Sequence, residues 1–506
     1  MSDSPAVFNA LPTEEQPILD KLYSIRSHLE LLKQDRSQYV KSQDVINLYH
    51  ETNEQVHKLN GLRQDKPLEQ NRVDNVLDDC YQLISLSFMT IGKTQEAPAV
   101  YSAISTVKRL LDHLKECAFF LNKDLDSIAD RLEASRHIIA RGKNEHDPNL
   151  LTLLENRIDV CQTILSELQR FLGQLTPELL PTYEKLVSIL RSLSACNTRS
   201  KFPTAEVNDF QKQLRQIAAD LGKPVPADGG MTVLEQYTDK LKHMSIEENT
   251  ESSGQKLVSD LLIRCLLWVE IIQKKDGKID EHFKDTYDKL LAVRNKLEQL
   301  QLTQAWSLRE TDLWSFQRQL DRIDESRVDG NFVCPNGKPA DLHAQRTLLY
   351  LLRKSYAVIY QLLISSEPVS EALLPIHNQL KTLRRCLIEV KKAGGISSPR
   401  ELYPYSMKLN SIDNMRKDGK FMIGDDIPDG QGAVTQLLSE CFELAYELRT
   451  EAEENEERDD KEDDSAVDVK SARADEVDDA PEIKLTKTDK GAAEAPVPAA
   501  DVDAQT

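Results

Sequence analysis

The sequence contains little of what a sheet-rich protein needs at its turns and in its core. Glycine accounts for 18 of the 506 residues and aromatic residues for 6% of them, although tight turns use glycine and strands are enriched in aromatic residues. Hydrophobic residues still make up 40% of the chain, which is enough for a packed interior. The composition therefore predicts an all-α protein. Its length predicts several helical units, because a single core stops growing at roughly 250 to 300 residues.

Signals for export and for membrane insertion are missing as well. The sequence has no run of about 18 apolar residues, and its first residues lack the basic and apolar regions of a secretion signal. The eight cysteines are widely spaced and include no Cys-x-x-Cys pair, so we interpret them as small buried hydrophobic residues in a reducing compartment. These absences predict a cytoplasmic protein without a transmembrane segment.

Patterns typical of metal sites and of enzymes are absent too. None of the ten histidines forms a His-x-x-x-His pair, no Gly-x-Ser-x-Gly elbow occurs, and no cysteine lies in a nucleophile signature. We therefore predict no metal, no cofactor and no enzymatic activity.

The chain is acidic, and its charge is unevenly distributed. The formal net charge is −20, and the segment 451–506 alone holds 20 acidic and 7 basic residues. A body without a basic surface gains nothing from counterion release at phosphates, so we expect no direct binding of nucleic acid. The acidic tail has few apolar residues and is predicted to be disordered. An alternative role for the tail is to mask a basic surface at Lys381, Arg384, Arg385, Lys391 and Lys392.

What the sequence does contain is one amphipathic pattern that recurs at 17–29, 99–111, 181–193, 285–297 and 375–387. Three apolar positions, spaced by three and then four residues, form a stripe that only a partner helix can bury. The stripe residues are Leu22, Ile25, Leu29, Ile104, Val107, Leu111, Leu186, Ile189, Leu193, Leu290, Val293, Leu297, Leu380, Leu383 and Leu387.

Two further landmarks recur behind this pattern. A third-helix pattern centred on a cysteine or serine occurs at 77–80, 158–161, 262–265, 352–355 and 438–441, and a middle-helix pattern recurs at 210–217 and 316–323. Independent matches would not keep a common spacing, so we predict about five tandem three-helix units that form an elongated helical-bundle array or an α-solenoid. The predicted divisions are a flexible amino terminus at 1–12, unit one at 13–95, unit two at 96–175, unit three at 176–276 with a flexible insertion at 223–254, unit four at 277–366, unit five at 367–457 and the disordered acidic tail at 458–506.

Units four and five share the most specific repeat, at 312–332 and 401–421. Both copies end in Arg-x-Asp-Gly-x-Phe, and the candidate site residues are Arg327, Asp329, Gly330, Phe332, Arg416, Asp418, Gly419 and Phe421. Asp-Gly after a helix tolerates positive φ, and a phenylalanine can hold such a loop to the core, which is a structural interpretation. The functional interpretation is that the two arginine-bearing loops receive an anionic peptide or a small anion.

The stretch from Trp314 to Leu444, above all LDRIDESRVDGNF, LLISSEPVSEALLP and SECFELAYELR, resembles a family of uncharacterised fungal proteins known only as a domain of unknown function. The resemblance extends over most of the chain before the acidic tail. It implies a fungal source and a cytoplasmic or also nuclear location. No ligand or catalytic residue is established for that family, so the resemblance implies none here.

These features predict a non-enzymatic scaffold or adaptor that binds other proteins, because arrays of helical units expose long surfaces. The alternative is a binding protein that responds to a small anion or nucleotide through the two Arg-x-Asp-Gly-x-Phe loops. The sequence identifies neither the partners nor the oligomeric state.

Overall fold

The structure is a computed structural model that describes residues 11–64, 70–221, 254–334 and 336–471. Within these ranges the chain forms fifteen α-helices and one two-stranded sheet, which confirms the all-α prediction. The helices are α1 Gln16–Gln34, α2 Ser42–Arg63, α3 Arg72–Thr90, α4 Val100–Cys117, α5 Asn122–Arg141, α6 Pro148–Leu172, α7 Leu180–Asn197, α8 Thr204–Asp220, α9 Gly254–Lys275, α10 Lys284–Ser307, α11 Leu313–Glu325, α12 Leu342–Ile364, α13 Leu374–Lys392, α14 Tyr403–Asp413 and α15 Gln431–Ser471, and the strands are β1 Arg416–Lys417 and β2 Lys420–Phe421. None of these helices is long and apolar enough to cross a membrane.

Local sequence signals define where several helices begin. Asn71 caps α3 by accepting a hydrogen bond from Val73 N, while the Asp74 side chain accepts one from Asn71 N. Asp147 caps α6 in front of Pro148, which needs no amide hydrogen in the first turn. Such caps satisfy amide groups that the helix itself leaves without partners.

The fifteen helices follow one another in five sets of three, and in each set the first helix packs along the third. Every predicted stripe residue is buried except Leu383, which is partly buried. Each fully buried aliphatic side chain contributes about 1.5 to 3 kcal/mol, so the stripes are a main source of stability. The amphipathic pattern is confirmed. The unit boundaries as limits of independent domains stay a prediction.

The repeated cysteine of the third helix occupies the same place in units one, three and five. Cys80 Sγ lies 3.5 Å from the carbonyl oxygen of Leu22, and Cys265 Sγ lies 3.7 Å from that of Leu186. Cys441 Sγ lies 3.5 Å from the carbonyl oxygen of Leu380. All three carbonyls belong to the first residue of the stripe, so these copies pack their first and third helices in the same register.

Units that are far apart in the sequence also contact one another. The buried residues of units one to four form one continuous core, and those of unit five form a second core. In unit four, α12 packs against α4, and α11 packs against α3. Unit five is joined to unit one by polar groups: Tyr39 OH donates to Asp426 Oδ2 (2.9 Å) and Ser42 Oγ donates to Asp429 Oδ2 (2.6 Å).

Two sequence predictions need correction. The tail expected to be disordered from residue 458 continues as part of α15 to Ser471, because extending a helix that has already formed costs far less than starting one. The interpretation of all cysteines as buried is wrong at Cys386, which is exposed, and at Cys334, which is partly buried. The predicted insertion, residues 472–506 and residues 1–10 lie outside the described residues, apart from Gly254 at the start of α9.

Candidate functional site

The two Arg-x-Asp-Gly-x-Phe segments form β-hairpins with the same turn. Asp329 and Gly330 have φ angles of 48° and 75°, and Asp418 and Gly419 have φ angles of 49° and 76°. Two consecutive residues with positive φ define a type I′ turn, which suits the twist of paired strands and favours Asp-Gly. In unit five the hairpin contains β1 and β2, and in unit four the residues that flank the turn exchange two backbone hydrogen bonds of 2.9 Å. The sequence predicted the positive φ but not the paired strands.

A glutamine in the first turn of the third helix holds each hairpin to the core. Gln345 accepts a hydrogen bond from Phe332 N (3.0 Å) and donates one to Phe332 O (2.7 Å). Gln431 makes the same pair of bonds with Phe421, at 2.9 and 2.7 Å. Both phenylalanine side chains are buried. Sequence reasoning missed both glutamines, which lie outside the repeated segment, although both third helices carry a glutamine in the first turn.

The two hairpin arginines have different surroundings. Arg327 donates to Asp324 Oδ1 (2.9 Å), Glu116 Oε1 (2.7 Å) and Gly330 O (2.8 Å), so an anion bound there would have to compete with two carboxylates. Arg416 of β1 bonds to Asp413, the last residue of α14. No hydrogen bond or ion pair among the described residues joins the two hairpins, and a shared anion site stays an untested prediction.

Unit four has a groove formed by α11, α12 and the hairpin. One face of α4, the first helix of unit two, lies in this groove. The stripe residues are spaced by four and three positions and therefore share one face of the helix. They are Ser102, Thr106, Arg109, His113 and Glu116. We call these five residues the α4 stripe.

Hydrogen bonds and ion pairs fix the α4 stripe along its whole length. At one end Gln317 Nε2 donates to the hydroxyls of Ser102 (2.9 Å) and Thr106 (3.1 Å). In the middle Arg109 lies 3.5 Å from Asp321 and 3.4 Å from Asp324. At the other end Glu116 joins Arg327 to Arg353 of α12, at 2.7 and 3.4 Å. A shift of α4 along the groove would break all of these contacts, so they fix its position relative to unit four.

The carboxylates of this interface have shifted pKa values. Burial would raise the pKa of Asp324, but the hydrogen bond from His113 and the charges of Arg327 and Arg109 together lower it to about 2. For Asp321, burial outweighs the attraction of Arg109 and the hydrogen bond from Tyr356, and its pKa rises to about 6. Asp324 therefore stays ionised at neutral pH, whereas Asp321 titrates close to it.

Unit five contains the same groove without a helix in it. In the duplicated segment Tyr403 corresponds to Trp314, and the Trp314 side chain is 4% exposed while that of Tyr403 is 66% exposed. In the third helix Tyr446 corresponds to Tyr360, and these residues are 71% and 7% exposed. The structure therefore leaves exposed on unit five the surface that unit four buries against units one and two.

We call this surface the open groove. It has a volume of about 700 Å³ between α14 and α15 and is lined by Pro399, Arg400, Leu402, Tyr403, Ser406, Phe442, Ala445, Tyr446 and Arg449. Met407, which is exposed, corresponds to Arg318 of unit four, whose guanidinium pairs with Asp79 at 3.3 Å. At this position unit five thus has an apolar side chain where unit four has a charged one.

Other predicted chemistry can be placed as well. Among the described residues no group of three or more His, Cys, Asp or Glu side chains is arranged to hold a metal ion. Of the basic residues proposed as a target for the tail, four already pair with acidic residues of the same unit: Lys381 with Glu367, Arg384 with Glu440, Lys391 with Glu447, and Lys392 with Glu389. A tail bound there would compete with these pairs.

Comparisons with known proteins identify relatives in two fungi. A family model described as a protein of unknown function (DUF2408) matches residues 172–310 and 366–469. The chain is 38% identical to the CUB1 family protein C30C2.08 of Schizosaccharomyces pombe, over 89% of this chain and 96% of the relative. It is also 38% identical to the Cu(2+) suppressing and bleomycin sensitive protein 1 of Saccharomyces cerevisiae, over 88% of this chain and 91% of the relative. No solved structure matches.

Proposed function

Because this chain belongs to the fungal DUF2408 family, whose description states no activity, we propose a function from its geometry: it is a non-enzymatic adaptor that binds a helix of a partner protein in the open groove of unit five. The observation that carries the proposal is the pair of equivalent grooves, of which unit four's is filled by a helix and unit five's is exposed.

Unit four supports a helix as the occupant. There the same fold elements, a middle helix, a third helix and a hairpin, hold the α4 stripe along five successive contact positions. An amphipathic helix in a groove is a common mode of recognition, with anchors spaced by three and four residues. Unit five repeats the elements of this groove, so a helix is the shape that it fits.

A second copy of this chain is a poor candidate for that helix. Its α4 stripe already occupies its own unit four, where Ser102, Thr106 and His113 are buried. Releasing the stripe would leave the buried carboxylate of Asp324 without Arg109 and His113, at a cost of several kcal/mol. The residues of the open groove also require a different chemistry. Tyr403, Phe442 and Tyr446 favour large apolar anchors, and Arg400 and Arg449 favour an acidic residue on the partner.

The name of one relative points to a cellular process but not to a molecular mechanism. The Saccharomyces relative is named for Cu2+ and for bleomycin sensitivity. We propose that a corresponding role of this chain runs through its bound partner.

Photo-cross-linking tests the proposal directly. We expect a benzophenone amino acid at Tyr403 or at Tyr446 to cross-link, in the native cell, to one helical segment of another protein, identified by mass spectrometry of the joined peptides. The same probe at Val160, an exposed apolar residue of α6, is the matched control and should not label that segment. Cross-links that join the open groove only to this chain's own residues, or to a second copy of it, would contradict the proposal.

A variant separates binding from folding. Tyr403→Ala combined with Tyr446→Ala should abolish capture of the cross-linked partner, because it removes the two exposed aromatic side chains on which a partner helix would pack. Its melting temperature should stay within about 2 °C of the wild type, since both side chains are largely exposed. Capture that survives the double substitution would place the partner elsewhere.

A further inference from the structure

Three arginines from two units meet where α4 ends. Arg264 of α9 donates from Nη1 to the carbonyl oxygen of Cys117, the last residue of α4, at 2.7 Å. Arg353 of α12 reaches Glu116 Oε2 at 3.4 Å. Arg346, two helical turns before Arg353, lies with its guanidinium 5.5 Å from the ring centre of Trp268. Units two, three and four therefore share one basic junction, which we call the arginine junction.

The donors of the arginine junction are incompletely satisfied. Arg264 Nε, Arg346 Nη1 and Arg353 Nε are buried without a hydrogen-bond partner, and so is the indole Nε1 of Trp268. Arg264 is only 6% exposed. A buried donor that lacks an acceptor costs about 1 to 3 kcal/mol, so four of them in one place require an explanation.

The charge of the junction is also unbalanced. Glu116 is its carboxylate, and it is shared with Arg327 of the hairpin. Arg346 has no hydrogen bond or ion pair with any described residue. Burial first, and then the charge of Arg264, lower the pKa of Arg346 to about 9, and burial also lowers the pKa of Arg264. The positive charge of each guanidinium therefore makes the protonated form of the neighbouring arginines less favourable.

We propose that the arginine junction binds a small phosphate-bearing anion, whose oxygens accept hydrogen bonds from Arg264, Arg346 and Arg353. Arginine suits this role because its planar donors match the spacing of phosphate oxygens and its charge persists when it is buried. The anion supplies both what the junction lacks, acceptors and negative charge. Arg353 is 20% exposed at its side chain, which gives the junction an edge at the surface.

This site is independent of the proposed adaptor function and of the hairpin loops as predicted from the sequence. It uses residues of α9 and α12 that are not among the predicted site residues. Its contacts with Cys117 and Glu116 place it at one end of the α4 stripe. A bound anion would therefore hold unit three, unit four and the end of α4 together.

Thermal unfolding of the full chain with sodium pyrophosphate, at constant ionic strength set by sodium chloride, tests the proposal. We expect the melting temperature to rise with pyrophosphate concentration in a saturable way, with binding heat of the same midpoint in titration calorimetry. Vesicles containing phosphatidylinositol phosphate form a second arm. Stabilisation by soluble pyrophosphate identifies a free anion, and stabilisation by vesicles alone would overturn the proposal in favour of a lipid surface.

Substitutions give a signature that a structural role does not produce. Arg346→Met should weaken pyrophosphate binding at least tenfold and yet melt higher than the wild type without anion, because it removes a buried unpaired charge. Arg353→Gln, at the exposed edge, should weaken binding as well. It tests the site even if Arg346→Met fails to fold. The control is Arg131→Met on α5, which removes another arginine with a buried, unpartnered Nε and should leave binding unchanged. A wild type that shows no response to pyrophosphate would overturn the proposal, as would equal responses of all variants.

Discussion

Units four and five contain the same repeated groove, yet only in unit four is it filled. Trp314 and Tyr360 of unit four are buried, while their counterparts Tyr403 and Tyr446 are exposed. The segments that form the two grooves are closely similar in sequence, so local structure is equal and the difference comes from the neighbour. A duplicated unit keeps its shape but not its partner, and the copy without an internal partner has a surface free for an external one.

The two grooves differ in chemistry as well as in occupancy. Unit four presents Arg318 and Asp321 to units one and two, where unit five has Met407 and Asn410. Buried ion pairs add little net stability over apolar contacts, but they exclude wrong registers. The filled groove is thus specific for one helix, and the open groove lacks the ion pairs that set this specificity.

The largest expected difference between the grooves is at the repeated aspartate. Asp324→Ala leaves Arg109, His113 and Arg327 without their shared carboxylate, and we expect it to lower the free energy of unfolding by about 3 to 5 kcal/mol. The measurement is chemical denaturation followed by circular dichroism. Asp413→Ala, the same change in unit five, removes one partly exposed ion pair and should cost less than about 1 kcal/mol. Equal losses would show that the two grooves are energetically alike.

A smaller contrast is expected at the repeated tyrosine of the third helix. Tyr360→Ala removes a buried ring and its hydrogen bond to Ser127 O, with a loss of about 3 kcal/mol. Tyr446→Ala should change stability by no more than about 0.5 kcal/mol, because its ring is mostly exposed. The measurement is thermal unfolding of both purified variants without a partner. A large loss of stability in Tyr446→Ala would mean that another part of the chain occupies the groove.

The smallest effect concerns pH. Because the pKa of Asp321 is raised to about 6 in the folded protein, the folded state keeps its proton where the unfolded chain has lost it. This group's contribution to stability is therefore fully present below about pH 4 and is lost as pH rises to about 6. Relative to Asp321→Asn, which has the residue of unit five at that position, the wild type should lose about 1 to 3 kcal/mol across this range. A constant difference between the two proteins from pH 4 to 6 would refute the shift.

Periodicity predicted the helical architecture because the spacing of apolar residues reflects which face of each helix is buried. Leu22, Leu186 and Leu380 belong to stripes that only a helix can cover, and the structure buries all three. The α4 stripe could not be recognised in the same way. A line of Ser, Thr, Arg, His and Glu on a helix is typical of a solvent-facing surface, and only the folded chain shows that unit four covers it.

The candidate site was predicted in part for the same reason. The repeated Asp-Gly pairs indicated positive φ at Asp329 and Asp418, which depends on local geometry alone. The bonds from Gln345 and Gln431 to the hairpins depend on how the third helix approaches, and the sequence does not contain that distance. Tyr446 likewise has the pattern of a core residue, and its exposure follows from the absence of a neighbouring unit among the described residues.

The hydroxyl–carboxylate bonds that attach unit five to unit one, from Tyr39 to Asp426 and from Ser42 to Asp429, have a mechanical consequence. They act together with Glu371 of unit five, which pairs with the buried Arg309 of unit four (2.6 Å), accepts a hydrogen bond from Val40 N and donates its own N–H to Thr90 O (2.9 Å). The last unit is therefore held in one orientation against the first. A ligand seated between α14 and α15 would therefore bind to a surface whose position relative to the first unit is already set.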